Sequence, residues 1–110
     1  MSAELDNLPS VCFLCTGNAA RSVIARAVFA DRITRYQVIG AGTLVLEGQP
    51  MSQRTRRSLE LLGLEDTTHR SRQFGLDHIL VDLIVAMAPE HVEWIRRNHP
   101  ESAARTGTLL

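Results

Sequence analysis

The feature that most constrains the fold of this 110-residue chain is residues 11–22, with the sequence Val-Cys-Phe-Leu-Cys-Thr-Gly-Asn-Ala-Ala-Arg-Ser. An apolar run typical of a buried parallel strand leads into a loop of small and polar residues, and a helical pattern begins near Ser22. In open α/β sheets, ligands bind where a strand ends and the next helix begins. The loop between Cys15 and Arg21 is therefore the predicted functional site.

This loop has the composition of an anion site. Its backbone N–H groups can converge on one point, the helix N-terminus adds partial positive charge, and Arg21 adds a planar fork of donors suited to a tetrahedral oxyanion. The same field favours the thiolate form of Cys15, which is the nucleophilic form of a cysteine. Gly17 is free to take positive φ, Asn18 tolerates the left-handed conformation and can tie the loop through its amide, and Ser22 can hydrogen-bond the sulfur.

Cys12 lies three residues before Cys15, a C-x-x-C spacing that also occurs in thiol redox proteins and zinc sites. The sequence has no further cysteine to complete a zinc cluster. Because Cys12 falls inside the predicted strand, we expect it to be a small core residue. Two cysteines without a signal peptide or a long apolar run indicate a cytoplasmic protein with free thiols.

The charges of the chain balance, with 12 Lys and Arg residues against 12 Asp and Glu residues. This balance gives no overall field that would attract nucleic acid or an acidic membrane surface. With 45% hydrophobic residues, residues 10–110 are expected to form one domain, preceded by a loose leader over residues 1–9.

Hydrophobic patterning places the remaining elements. The order of strands and helices predicts a flavodoxin-like α/β domain, with a parallel, doubly wound sheet of four strands and the ligand loop after the first strand. The predicted strands lie at 10–14, from 36 to about 40, at 80–87 and within 103–110. The predicted helices run from 22 to about 35, from 52 to 62, over a short stretch at 74–79, and from 89 to 98. The second of these helices is expected to bury Leu59, Leu61 and Leu62 and to end at Gly63, and the last is expected to bury Val92, Trp94 or Ile95.

Residues 11–22 resemble the signature loop of the low molecular weight protein tyrosine phosphatases, a family whose fold also serves some arsenate reductases. The similarity continues at residues 41–43, 68–73 and 82–87, in the same order and spacing, and it extends to about residue 99. The resemblance implies a three-layer sandwich with the strand order 2-1-3-4. It also implies a last helix beyond the fourth strand, and we expect that helix to be absent here.

The resemblance implies a role for each loop residue. Cys15 would attack the phosphorus of phosphotyrosine on protein, or of a small aryl phosphate, and Arg21 and the loop N–H groups would hold its oxygens. No metal or other cofactor is expected, because arginine and amides supply the positive field. His69 and Arg72 would lie behind or beside the loop. The residues implied to bind phosphate are Thr16, Gly17, Asn18, Ala19, Ala20, Arg21 and Ser22.

The apolar tip at residues 44–46, followed by Glu47, has two open interpretations. In the resemblance this segment is a wall of the substrate pocket, with Leu46 or a neighbour standing where family members often carry an aromatic residue. Otherwise it is a packing loop or a partner contact. Glu47 is the one acid that we nominate as a substitute proton donor.

The sequence departs from the family pattern in ways that leave three functions open. The family's general acid is an Asp in an Asp-Pro pair beyond the fourth strand, and the printed sequence contains no such pair. The alternatives to a phosphatase are an arsenate reductase that uses an external thiol, because no Cys follows Cys15, and a weakly active or inactive module that binds phosphate or phosphotyrosine. A homodimer through an uncovered region at residues 103–110 is also expected. The other departures are Ala20, Val23, Gly40 and Ala88.

Overall fold

The carboxyl end of a central strand, β1, holds the predicted loop. The computed structural model describes residues 8–66 and 68–108. The strands are β1 (Ser10–Cys15), β2 (Gln37–Gly42), β3 (Leu83–Ala86) and β4 (Thr106–Thr108), all parallel and in the order β2-β1-β3-β4. The helices are α1 (Arg21–Arg32), α2 (Gln53–Leu61) and α3 (Pro89–Asn98), followed by a 3₁₀ helix at Pro100–Arg105. The predicted flavodoxin-like fold and strand order are confirmed, and most of the expected leader lies outside the described residues.

The two faces of β1 are buried against different helices. Cys12 and Leu14 are fully buried on the α3 side, in a cluster that includes Ile95 of that helix. Phe13 points to the other face, where its ring centroid lies 5.5 Å from that of Phe29 in α1. A strand that is covered on both faces has a continuous run of apolar residues, and this run in the sequence located β1.

The start and end of α2 follow local sequence signals. The Ser52 hydroxyl caps the helix by accepting from the backbone N–H of Thr55 at 3.2 Å. Gly63 terminates it with φ of +74°. Between them, Leu59 packs with Val23 of α1 in a second core cluster. The predicted cap, terminus and buried Leu59 are confirmed.

Two leucines of this helix were placed wrongly. Leu61 and Leu62 were expected to be buried, but they are 84% and 57% exposed. The helix has only nine residues, and its buried face is already formed by Thr55 and Leu59, four positions apart. Leu61 and Leu62 lie at the helix end, beyond that face.

The stretch before β3 also differs from expectation. Residues 74–79 form turns instead of a short helix, and His78 Nδ1 accepts from the backbone N–H of Gly75 at 3.1 Å within them. The third strand begins at Leu83, after Asp82, whose carboxylate accepts from the backbone N–H of Ser10 at 2.7 Å and whose own backbone N–H donates to Ser10 O at 3.1 Å. An apolar run does not reveal where such a turn gives way to a strand. The first helix likewise ends at Arg32, and the 3₁₀ helix was not predicted.

One face of β3 is only partly covered. In the register of the sheet, Leu83 lies beside Val11 and Val85 beside Phe13, so both side chains share the face on which α1 packs. However, α1 lies over β1 and β2, and Leu83 remains 46% exposed. Self-association stays a prediction, and residues 109–110 of the region named for it lie outside the described part. Among the described residues, no helix is long and apolar enough to cross a bilayer.

Candidate functional site

The loop between β1 and α1 is bracketed by the segment that follows β2. The backbone N–H of Thr43 donates to Cys15 O at 2.9 Å, and that of Leu44 donates to Thr16 O at 3.0 Å. Gly42 lies so close to the loop that a β carbon built on it would stand 2.4 Å from Thr16 O. The sheet edge therefore fixes the backbone of the first two loop residues.

The sulfur of Cys15 is surrounded by hydrogen-bond donors. The backbone N–H of Asn18 donates to Sγ at 3.3 Å, and the Ser22 hydroxyl lies 3.0 Å from it. Ser22 belongs to the first turn of α1, which contains no acidic side chain. These donors and the helix N-terminus all stabilise negative charge on the sulfur. The expected contact between Ser22 and the sulfur is thus present.

Arg21 completes the positive surroundings of the loop. It is the first residue of α1 and it is exposed. Within the described residues it takes part in no ion pair, so its guanidinium donors are available to an anion. This combination of a free arginine, loop amides and a helix N-terminus can hold a tetrahedral oxyanion.

Asn18 ties the loop to the segment at residues 69–72. Its side-chain amide donates to Ser22 Oγ at 2.9 Å, and its Oδ1 accepts from the backbone N–H of Arg72 at 2.9 Å. Its backbone oxygen accepts from Ser71 Oγ and from His69 Nε2, each at 2.8 Å. Asn18 is 1% exposed and adopts a left-handed φ of 52°. These contacts hold it in a conformation that few non-glycine residues adopt.

Of the two loop residues suited to positive φ, Asn18 adopts it and Gly17 does not. Among the described residues, the glycines with positive φ are Gly48 and Gly63, and Asn18 is the non-glycine residue that has it. The hydrogen bonds of Asn18 compensate the strain, so the left-handed position does not require a glycine.

His69 and Arg72 act on the loop in different ways. Since a carbonyl oxygen only accepts, His69 Nε2 must carry the hydrogen that it shares with Asn18. Burial lowers the pKa of His69, the bond to Asn18 opposes this, and Arg26 and Arg70 lower the pKa further. Arg72 supports Asn18 through its backbone, while its own side chain is exposed.

Two contacts to the loop were missed by sequence reasoning. The Thr55 hydroxyl in the first turn of α2 donates to Ala19 O at 2.8 Å. His91 in the first turn of α3 lies with Nε2 3.0 Å from Thr16 Oγ1. Both are polar residues on the buried face of a helix, which is the one sequence signal that marks them.

The segment at residues 44–47 is held by one glutamine. Gln73 accepts from the backbone N–H of Val45 at 3.0 Å through its side chain, and its own N–H donates to Glu47 Oε1 at 2.9 Å. Leu44 and Leu46 are 78% and 79% exposed, so they fill no core. Their role as a pocket wall, and that of Glu47 as a proton donor, stay predictions.

Cys12 is a core residue whose thiol stays protonated. It is fully buried, and burial, with a smaller effect of Cys15, raises the pKa of its thiol to about 12. At neutral pH it is therefore protonated and unreactive. In the described part of the chain, no group of three or more His, Cys, Asp or Glu side chains is placed to hold a metal.

Comparison with known proteins agrees with this geometry. A family model described as low molecular weight phosphotyrosine protein phosphatase matches residues 10–110. The chain belongs to this family. The family resemblance of the sequence is confirmed, and the cysteine loop described above lies inside the matched range.

The names of two relatives in this phosphatase family refer to different substrates. The chain is 33% identical over 101 residues to a protein-arginine-phosphatase of Geobacillus stearothermophilus, covering 90% of this chain and 68% of that protein. It is 32% identical over 101 residues to the low molecular weight protein-tyrosine phosphatase A of Mycobacterium tuberculosis, covering 84% and 61%. The chain spans about two thirds of the length of these relatives.

A solved structure confirms the fold. The tyrosine phosphatase Wzb from Escherichia coli K30, in complex with sulphate, superposes with a TM-score of 0.87 at 27% identity. The match covers 92% of this chain and 71% of that one.

Proposed function

We propose that this chain hydrolyses phosphomonoesters, with phosphotyrosine on protein as the expected substrate, through a cysteinyl-phosphate on Cys15. The observation that supports this most is the position of Cys15 Sγ at the end of β1, with the N–H of Asn18 and the hydroxyl of Ser22 both directed at it. Arg21 and the helix N-terminus stand beside it. Family membership supports the same reaction class.

In the first step, the Cys15 thiolate attacks phosphorus, the S–P bond forms and the bond from phosphorus to the leaving oxygen breaks. The departing phenolate then takes a proton, from Glu47 as the nominated donor or from solvent water. Arg21 and the backbone N–H groups at residues 16–21 hold the other oxygens and bind them more strongly as charge redistributes in the transition state. In the second step, water attacks phosphorus, the S–P bond breaks, and phosphate leaves with Cys15 again a thiolate.

Phosphoarginine on protein is a second candidate substrate. The observation that favours it is the name of the relative from Geobacillus stearothermophilus, which is as similar as the tyrosine phosphatases are. The same attack by Cys15 would break a P–N bond in place of a P–O bond. The two substrates require the same loop and differ only in the leaving group.

Arsenate reduction is supported less well. Both cysteines of the chain are in its first 15 residues, and Cys12 is a buried thiol with a pKa of about 12. A disulfide relay within the chain would need a second reactive thiol, so this reaction would depend on an external one. The free thiols themselves fit a reducing compartment, and the cytoplasm is the location that we propose.

The test is turnover of an activated aryl phosphate, a phosphotyrosine peptide and a phosphoarginine peptide by the purified chain, with acid quenching to trap phosphate on Cys15. Phosphate release together with a trapped cysteinyl-phosphate supports the proposal. Anion binding without turnover would instead support a phosphate-binding module. Thiol consumption that depends on arsenate would support the reductase.

A further inference from the structure

The first residue after the nucleophile carries a hydroxyl with a buried partner. Thr16 Oγ1 lies 3.0 Å from Nε2 of His91, which is 1% exposed, whereas Thr16 itself is exposed at the loop surface. The contact joins residues 75 positions apart in the chain. A buried histidine that reaches one exposed hydroxyl beside the nucleophile needs an explanation beyond packing.

The sheet places His91 there. β3 pairs with β1 in the register that sets Ala86 beside Leu14, so both strands end together and α3 begins at the same edge as the loop. Its first turn contains His91, and no side chain caps it. The imidazole is therefore held by a helix and points its Nε2 at the loop.

The protonation of His91 follows from its second nitrogen. Nδ1 is buried and has no hydrogen-bond partner among the residues that the structure describes. A buried N–H without an acceptor is rarer and more costly than a buried acceptor without a donor, so the hydrogen belongs on Nε2. Burial and the nearby Arg21 lower the pKa of His91, while Glu90 opposes this, and the neutral ring results. Nε2–H then donates to Thr16 Oγ1.

This donation determines what the threonine hydroxyl can do. Oγ1 accepts from His91, so its own hydrogen is directed elsewhere, and Thr16 makes no other side-chain hydrogen bond within the described residues. We propose that the Thr16 hydroxyl, oriented by His91, donates a hydrogen bond to an oxygen of the anion held in the loop. His91 is then a positioning residue that acts through Thr16. This inference rests on the proposed anion site.

The test measures binding separately from turnover. Sulfate and phosphate are titrated by calorimetry into a Cys15→Ser background, which removes the nucleophile but keeps the loop. Thr16→Val is expected to weaken binding roughly tenfold, the effect of losing one hydrogen bond to a charged group, and Thr16→Ser is expected to bind like the parent. His91→Leu should weaken binding several-fold, and His91→Gln, whose Nε2 can donate, should recover most of it.

Non-additive effects of the Thr16 and His91 substitutions on anion affinity would show that the two residues act together. If His91 acts only through Thr16, the Thr16→Val/His91→Leu double variant binds no more weakly than Thr16→Val alone. Nitrogen NMR of the histidine rings should show the Nε2–H tautomer at His91. Glu93→Gln, an exposed change on the same helix, is the matched control and should leave binding unchanged.

Three results would overturn the inference. These are equal affinity of Thr16→Val and the parent, additive losses in the double variant, or an Nδ1–H tautomer. A failure of the anion site looks different, because the parent itself would then bind neither anion. A failure of hydrolysis alone appears in the turnover assay and leaves these binding differences in place. Thermal unfolding of each variant separates a loss of folding from a loss of binding.

Discussion

Gly42 stands against Thr16 with no room for a side chain, since a β carbon built on Gly42 would lie 2.4 Å from Thr16 O and 2.4 Å from Val45 Cγ2. No real β carbon approaches a backbone oxygen so closely, so Gly42→Ala must push the loop away from the end of β2. We expect a loss of about 1–3 kcal/mol in the free energy of unfolding, as in overpacked cores, together with reduced turnover. Urea unfolding and steady-state kinetics measure the two effects.

The matched control for that change is Gly107→Ala. Gly107 lies in β4, and a β carbon there would meet no atom of the described residues within 4 Å. It should leave turnover unchanged and alter stability by well under 1 kcal/mol. Equal effects of the two alanines would contradict the steric argument.

Cys15→Ser and Arg21→Lys are expected to separate chemistry from binding. The serine variant should lose turnover and still bind phosphate, because the loop donors remain. The lysine variant should lose both, because an ammonium cannot present the two parallel donors of a guanidinium. Calorimetry with phosphate and assays with an aryl phosphate test this. Turnover by the serine variant would show that Cys15 is not the nucleophile.

Alkylation distinguishes the two thiols. At about pH 6 we expect iodoacetate to modify Cys15, whose sulfur accepts from Asn18 N–H, and we expect phosphate to protect it. Cys12 should not react, because its pKa of about 12 keeps it protonated. Peptide mapping by mass spectrometry locates the label. Modification of Cys12 before Cys15 would reverse the assignment.

Two buried histidines, His78 and His91, and the half-buried His69 predict how stability depends on pH. Burial lowers the pKa of His69, His78 and His91 below the usual 6.5, so the unfolded chain binds more protons than the folded one as the pH falls below that value. This contribution is complete above 6.5 and is lost as the pH falls towards the folded values. Urea unfolding between pH 7.5 and about pH 5, above the range of ordinary carboxylates, measures it. Glutamine at all three positions should reduce the change in the free energy of unfolding with pH. An unchanged slope of that free energy against pH would contradict the role of the histidines.

The partly covered face of β3 predicts weak self-association. Leu83 is 46% exposed on a sheet face, where a second copy of the chain could cover it. Leu83→Ser should lower the weight-average mass in sedimentation experiments at high protein concentration. Leu76→Ser is the control, because Leu76 is 84% exposed in a turn that belongs to none of the four strands. A wild-type chain that remains a monomer at every concentration would show that this face needs no partner.

How much the sequence could predict depends on how far apart the interacting residues are. Cys15, Arg21 and Ser22 form the loop through local geometry, so their spacing was sufficient. The contacts of Thr16 with His91 and of Ala19 with Thr55 join distant segments, and no periodicity reports such a meeting.

The points that the sequence predicted wrongly or left undecided also depend on contacts between distant segments. The apolar pattern that assigned Leu61 and Leu62 to the core says nothing about where a helix stops relative to the sheet that it covers. The sequence offered both Gly17 and Asn18 for the left-handed position and did not decide between them; Asn18 adopts it, because its amide and backbone oxygen find partners at residues 69–72. Those partners become visible only once the chain is folded.

Asn18 has a consequence for the speed of recognition. Each of its four polar atoms makes a hydrogen bond within the protein, to Cys15, Ser22, Arg72 and the side chains of residues 69 and 71. The entropic cost of ordering the loop is therefore incurred during folding, and the binding site is preorganised for the anion. Association should then proceed in a single phase whose rate rises linearly with anion concentration, limited by encounter and steered by Arg21, with no slow rearrangement following it.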